Sequence, residues 1–148
     1  MRLGARLGAV LPERAVIALK GGLGAGKTAF ARGVGEGWGA QTSLRSPTFT
    51  LIQKYTRAAD AAVLYHVDLY RVAALNQLNG IGLRELIEDE PAVFLIEWPE
   101  HADTLIPPEA MQVAIRFISE TKRQILFSTK SEETWKNMIA FRKVAFGI

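Results

Sequence analysis

Two short runs, Ala15-Val16-Ile17-Ala18-Leu19 and Val93-Phe94-Leu95-Ile96, are apolar without interruption. Unbroken runs of this length, partly β-branched, predict strands buried on both faces in the middle of a parallel sheet. Between them Phe30, Val34 and Trp38 recur at helical spacing with Ala31 beside them, predicting a helix that ends near Gly39, a suitable C-cap. Its propensity is poor, because Gly33, Gly35 and Gly37 each cost up to about 1 kcal/mol relative to alanine. Tertiary packing must hold it.

The rest of the pattern is read the same way. Residues 3–11 predict a short helix closed by Pro12. Pro47 pushes Ser46 into extended geometry, and the alternation from there to Tyr55 predicts a strand. A turn at 57–61 and a strand over 62–67 complete a hairpin. A helical region follows over 73–88, interrupted near Gly80 and Gly82, with Leu83, Leu86 and Ile87 facing inward, and Pro91 ends it. Residues 113–117 and 124–128 predict two late strands, and 131–145 an amphipathic helix carrying Trp135, Met138, Ile139 and Arg142. Thr129 and Glu132 have the spacing of a capping box for that helix.

Composition narrows this picture only a little. With 148 residues, 49% hydrophobic and 22% charged, the chain is expected to form one globular domain over residues 1–148. No apolar run approaches the roughly 18 residues that span a bilayer, and Leu7 to Leu11 is too short for a signal-peptide core, so a cytoplasmic protein with no membrane contact is expected. The absence of cysteine excludes disulfides, thiolate catalysis and Cys-based zinc sites. A net charge of +3 permits contact with RNA or an acidic partner without demanding either.

The chemistry enters between the first strand and the first long helix. Gly21-Gly22-Leu23-Gly24-Ala25-Gly26-Lys27-Thr28 fits G-x-x-x-x-G-K-[ST], the phosphate-binding loop of nucleotide hydrolases. Glycines let the backbone turn several N–H groups inward, Lys27 brings an ammonium to the β- and γ-phosphates, and the Thr28 hydroxyl suits a Mg²⁺ shell. Ala29, next in the helix, is counted with the nucleotide-binding residues. The strand and helix on either side supply the context such a loop requires, so the expected class is an α/β three-layer P-loop NTPase fold, with a mostly parallel sheet and an inserted antiparallel hairpin.

A metal beside that loop needs a strand-terminal acid. Two qualify: Glu97, after four apolar residues in the manner of a Walker B segment, and Asp68, near His66, Tyr70 and Arg71. Thr48, in the segment after the first long helix, is the candidate sensor of the γ-phosphate. The expected catalytic set is therefore Lys27, Thr48, Asp68 and Glu97, with Thr28 and Glu97 at the metal. His66 reads as a core or supporting histidine. Thr129-Lys130-Ser131-Glu132 comes within one residue of a guanine-reading element, but the capping reading fits better.

Four blocks together carry a family resemblance: Gly21 to Thr28, Ser46 to Leu51 as S-P-T-F-T-L, His66 to Arg71 as H-x-D-x-Y-R, and Ile96 to Glu100 as I-E-W-x-E. Over about residues 15–118 the chain resembles the TsaE (YjeE) family of small P-loop ATPases in tRNA threonylcarbamoyladenosine biosynthesis. The resemblance implies ATP phosphates on Gly21 to Thr28, Thr48 in a switch-like segment, Asp68 and Glu97 at a Mg²⁺–water site, and Trp98 near the nucleotide. It also implies the TsaB–TsaD pair as partner, with tRNA met indirectly or weakly. An acidic residue is common in the family where Gly22 stands, and the tail after Ser119 lies outside the motifs. A small-molecule kinase and an adaptor with negligible turnover are the alternatives; the kinase is weakened because no arginine lies between Glu85 and Ile106.

Overall fold

The computed structural model describes residues 2–47, 50–72 and 82–148. The apolar run before the glycine-rich loop is β1 (Ala15–Lys20), and the loop leads into α2 (Lys27–Trp38), which packs on α1 (Arg2–Gly8). A hairpin of β2 (Ile52–Thr56) and β3 (Val63–Asp68) follows, then α3 (Leu83–Asp89) and β4 (Ala92–Glu97). A 3₁₀ segment opens at Pro99, where a missing N–H costs nothing, and runs to Leu105. The chain ends with β5 (Met111–Ser119), β6 (Lys122–Ser128) and α4 (Glu132–Phe146).

The six strands form one sheet in the order β2-β3-β4-β1-β5-β6. β1 runs parallel to β4 and β5, and β3 parallel to β4, while β2 and β6 pair antiparallel at the two edges. The two apolar runs are therefore neighbours at the centre, where both faces are covered. One face packs Leu19, Leu95 and Val113 under Phe30 and Val34 of α2; the other packs Val67, Phe94 and Ile96 against Leu83 and Ile87 of α3.

The glycines that weaken α2 in isolation have a packing reason. A Cβ on Gly37 would strike the Ala5 carbonyl of α1, and one on Gly8 the Val34 carbonyl of α2. The two helix backbones approach so closely that only glycine fits at these crossings. Arg6 then donates to the Ala145 carbonyl at the end of α4, and Arg14 to the Ile87 and Glu88 carbonyls at the end of α3, 3.0 and 2.9 Å away.

Several boundaries differ from the pattern-based expectation. The strand expected from Ser46 begins only at Ile52, because the chain turns first, with the Thr50 and Leu51 amides both donating to the Pro47 carbonyl. Of the helical region over 73–88, residues 73–81 lie outside the described residues and the helix covers Leu83–Asp89. The last helix is capped by Ser131, whose hydroxyl accepts from the Thr134 amide; Thr129 Oγ1 accepts from the Ser131 amide one step earlier and does not form the box with Glu132. On α4, Met138 is buried but Trp135 and Ile139 are exposed.

Candidate functional site

Strand alternation sets the site. Leu64, His66 and Asp68 of β3 and Val93, Leu95 and Glu97 of β4 share a sheet face. Leu64, Val93 and Leu95 belong to the core packed under α2. The register pairs Asp68 with Glu97, and Leu19, two residues before the loop, with Glu97. Both acids thus finish their strands at the level where β1 gives way to the loop, outside the carboxyl ends of parallel strands, where α/β folds take their ligands.

The loop itself turns on glycine. Gly26, immediately before α2, holds φ at 110°, a conformation that side chains rarely adopt. Lys27 is only 5% exposed, and its ammonium donates to the Gly21 and Gly22 carbonyls at 2.6 and 2.9 Å. It also lies 3.8 Å from the centre of the Trp98 ring. Burial pushes the Lys27 pKa down from its ordinary value, opposed by the nearby carboxylates of Glu97, Glu100 and Asp68. The loop's cation is satisfied by weak carbonyl acceptors and a ring face, not by an ion pair. An incoming polyphosphate would be a much stronger partner.

Glu97, 2% exposed, is the hub of the polar contacts. The Thr28 hydroxyl donates to its two oxygens at 3.0 and 3.1 Å, and His66 Nε2 lies 2.8 Å from Oε1. His66 is fully buried, and its Nδ1 lies 3.0 Å from the Arg45 carbonyl oxygen. A carbonyl can only accept, so Nδ1 carries hydrogen and donates to it. Asp68 is held differently. Its Oδ1 accepts from the Tyr70 amide at 2.9 Å, and Oδ2 lies 3.4 Å from the Ser46 hydroxyl.

The side chains enclose a cleft of about 350 Å³ lined by Gly24, Lys27, Thr28, Asp68, Glu97 and Trp98, with Leu23, Gly26, Ala29, Ser46, Tyr70 and Arg71 around them. One hydroxyl and two carboxylates are oxygen donors of the kind a hard divalent cation takes, with phosphates and water completing its shell. Thr48 falls outside the described residues. Gly21 and Gly22 meet the site through the carbonyls that hold Lys27.

Some features were not legible in the sequence. Among the described residues, the two non-glycine residues with positive φ are Leu51, at 61°, and Trp98, at 58°. Each abuts an acid: the Leu51 carbonyl accepts from the Asp68 amide at 2.9 Å, and Trp98 directly follows Glu97. Such strain costs on the order of 1–3 kcal/mol and gathers at functional sites. Trp98 stacks with His101 and meets the Tyr70 ring at a tilt, with ring centres 5.6 and 4.9 Å away, and His101 Nδ1 donates to the Leu69 carbonyl at 2.8 Å. Arg123 of β6 donates to the Ala25 carbonyl at 3.1 Å, fastening the loop from the far side.

A parallel-centred sheet whose first strand feeds a glycine-rich loop, with a lysine and threonine at the helix start and acids on neighbouring strands, defines a P-loop NTPase fold. The family model for "Threonylcarbamoyl adenosine biosynthesis protein TsaE" matches residues 1–125. The chain belongs to the TsaE family. It is 36% identical over 124 residues to the tRNA threonylcarbamoyladenosine biosynthesis protein TsaE of Treponema pallidum, covering 84% of this chain and 89% of that one. The proteins of the same name from Nostoc and Bacillus subtilis are 39% and 36% identical, over 84% and 76% of this chain and 76% and 68% of theirs. The crystal structure of YdiB from Bacillus subtilis superposes with a TM-score of 0.71 at 26% identity, covering 96% of this chain and 86% of that one. Among the described residues no helix is long and apolar enough to cross a membrane.

Proposed function

We propose that the chain binds ATP with Mg²⁺ at the 21–28 loop, hydrolyses it slowly by itself, and serves N6-threonylcarbamoyladenosine formation at A37 of tRNA by acting on the TsaB–TsaD pair. The observation that carries the nucleotide part is the contact of Thr28 with Glu97, which places a hydroxyl and a carboxylate beside Lys27 in one cleft. The pathway follows the names of the relatives. Mg²⁺, when bound, would neutralise the charge that builds on the phosphates.

The residues divide the remaining work. The loop amides and the start of α2 bind phosphate. Lys27 leaves the Gly21 and Gly22 carbonyls for the β- and γ-phosphates, which also uncovers the Trp98 face for the nucleotide. Thr28 and Glu97 hold the metal side, and His66 keeps the Glu97 carboxylate turned toward Thr28. Asp68 and Thr48 address the γ-phosphate end and its attacking water. Phosphoryl transfer needs little beyond such positioning and charge.

The test is phosphate release from ATP by the purified chain, alone and with the TsaB–TsaD pair. A low basal rate that rises with the pair is expected. Rapid phosphorylation of a metabolite would favour the kinase, and tight ATP binding with no turnover in either state would favour the adaptor.

A further inference from the structure

Both sheet faces of such a fold are ordinarily covered by helices, yet among the described residues no helix covers the β5–β6 end of one face here. The cross-strand pairs Gln112–Ser128, Ala114–Leu126 and Arg116–Gln124 of β5 and β6 stand opposite the α4 side, with Lys20 of β1 beside Ala114. Leu126 is 62% exposed. Where this face meets the 3₁₀ segment it sinks into a concavity of about 560 Å³, walled by Pro99, Ile106 and Pro107 and flanked by Lys20 and Lys130, with Asp103 at the rim. Gln112 Oε1 lies buried there without a hydrogen-bond partner among the described residues. Among these residues none of Lys20, Arg116 and Lys130 shows an ion pair.

We infer that this face is the docking surface for an acidic amphipathic helix of a partner protein, laid across β5 and β6 where none of the described helices lies. Three unpaired cations around an exposed leucine call for acidic residues around an apolar stripe, and the orphaned Gln112 oxygen calls for a donor. No aromatic ring stands among these face residues, so single-stranded RNA has nothing to stack on. The surface is also joined to the nucleotide cleft through the chain, at two points. Lys20 directly precedes Gly21, and Pro99 directly follows Trp98. A helix seated here would touch the covalent neighbours of the loop and of the ring that holds Lys27. Docking and nucleotide state would then be sensed by the same backbone.

The inference rests on the partner-directed reading above, and the test separates the two. Binding to the purified TsaB–TsaD pair is measured by calorimetry for the unaltered chain, for Arg116→Glu with Lys130→Glu, and for Leu126→Glu, with ATP affinity measured in parallel. Each altered chain is expected to bind the pair at least tenfold more weakly while ATP affinity stays within about twofold. The unaltered chain should also lose affinity as salt is raised, and the charge-reversed chain much less. Equal binding of all three chains to the pair would overturn the surface. So would unchanged pair binding with a loss of tRNA binding, which would make this face an RNA contact. If the unaltered chain does not bind the pair, the partner-directed reading itself fails and takes the surface with it.

Discussion

Asp68 and Glu97 look alike in the chain: each is an acid closing a buried strand, and the two are register partners. Their surroundings are not alike. Glu97 is tied to side chains from two other elements, Thr28 of α2 and His66 of β3, so its position follows the loop and the sheet together. Asp68 is 8% exposed and tied to its own chain two residues on and to the Ser46 hydroxyl. One carboxylate contacts the threonine that ends the loop motif; the other contacts the segments that flank the cleft. A strand-terminal acid is a position, and its chemistry comes from what the neighbouring elements present to it.

The largest effect should come from removing the charge both acids face. Lys27→Ala deletes the ammonium above Trp98 and is expected to weaken ATP binding about 100-fold, in line with charge-assisted hydrogen bonds worth roughly 1.5–3 kcal/mol each. Calorimetry with ATP and Mg²⁺ reads this directly. Unchanged affinity would remove the loop from the nucleotide site, and the distinction between the acids would lose its meaning.

Glu97→Gln comes next. The amide oxygen can still accept from Thr28, so folding and ATP affinity should change less than tenfold, whereas the lost negative charge should lower metal-dependent phosphate release by about 100-fold. Equal losses of binding and turnover would show that Glu97 holds the fold and not the metal. A variant of His66, His66→Gln, tests the support: it leaves a donor for Glu97 but cannot also reach the Arg45 carbonyl. Turnover should fall about 10-fold with the ATP dissociation constant nearly unchanged.

How much of this could be read from the chain follows from what each signal depends on. The loop motif and the two apolar runs are local, and the central strands, α2 and the cleft follow from them. The level at which Asp68 and Glu97 end their strands follows from the same pattern. His66 was legible as buried, but its bond to Glu97 depends on β3 lying beside β4, a pairing the order of elements left open. The Arg123–Ala25 contact spans 98 residues and has no local signature. The late start of β2 was missed because alternation from Ser46 ignores the turn that Pro47 accepts into. The α2 glycines read as a weakness when viewed alone; their reason lies on α1.

The smallest effect sharpens the comparison most. Asp68→Asn keeps an oxygen for the Tyr70 amide and loses only the charge, so the local turn and the fold should survive. If Asp68 braces the rim of the cleft and orients water through its position, phosphate release should fall about 10-fold or less, well short of Glu97→Gln. If instead its charge acts on the reacting phosphate or the metal, the two amide variants should fall equally, and the double variant should lose little more than either single one, because groups acting as a unit are not additive. Rates of the two single variants and the double variant, measured at saturating ATP, decide between one shared carboxylate site and two acids with separate work.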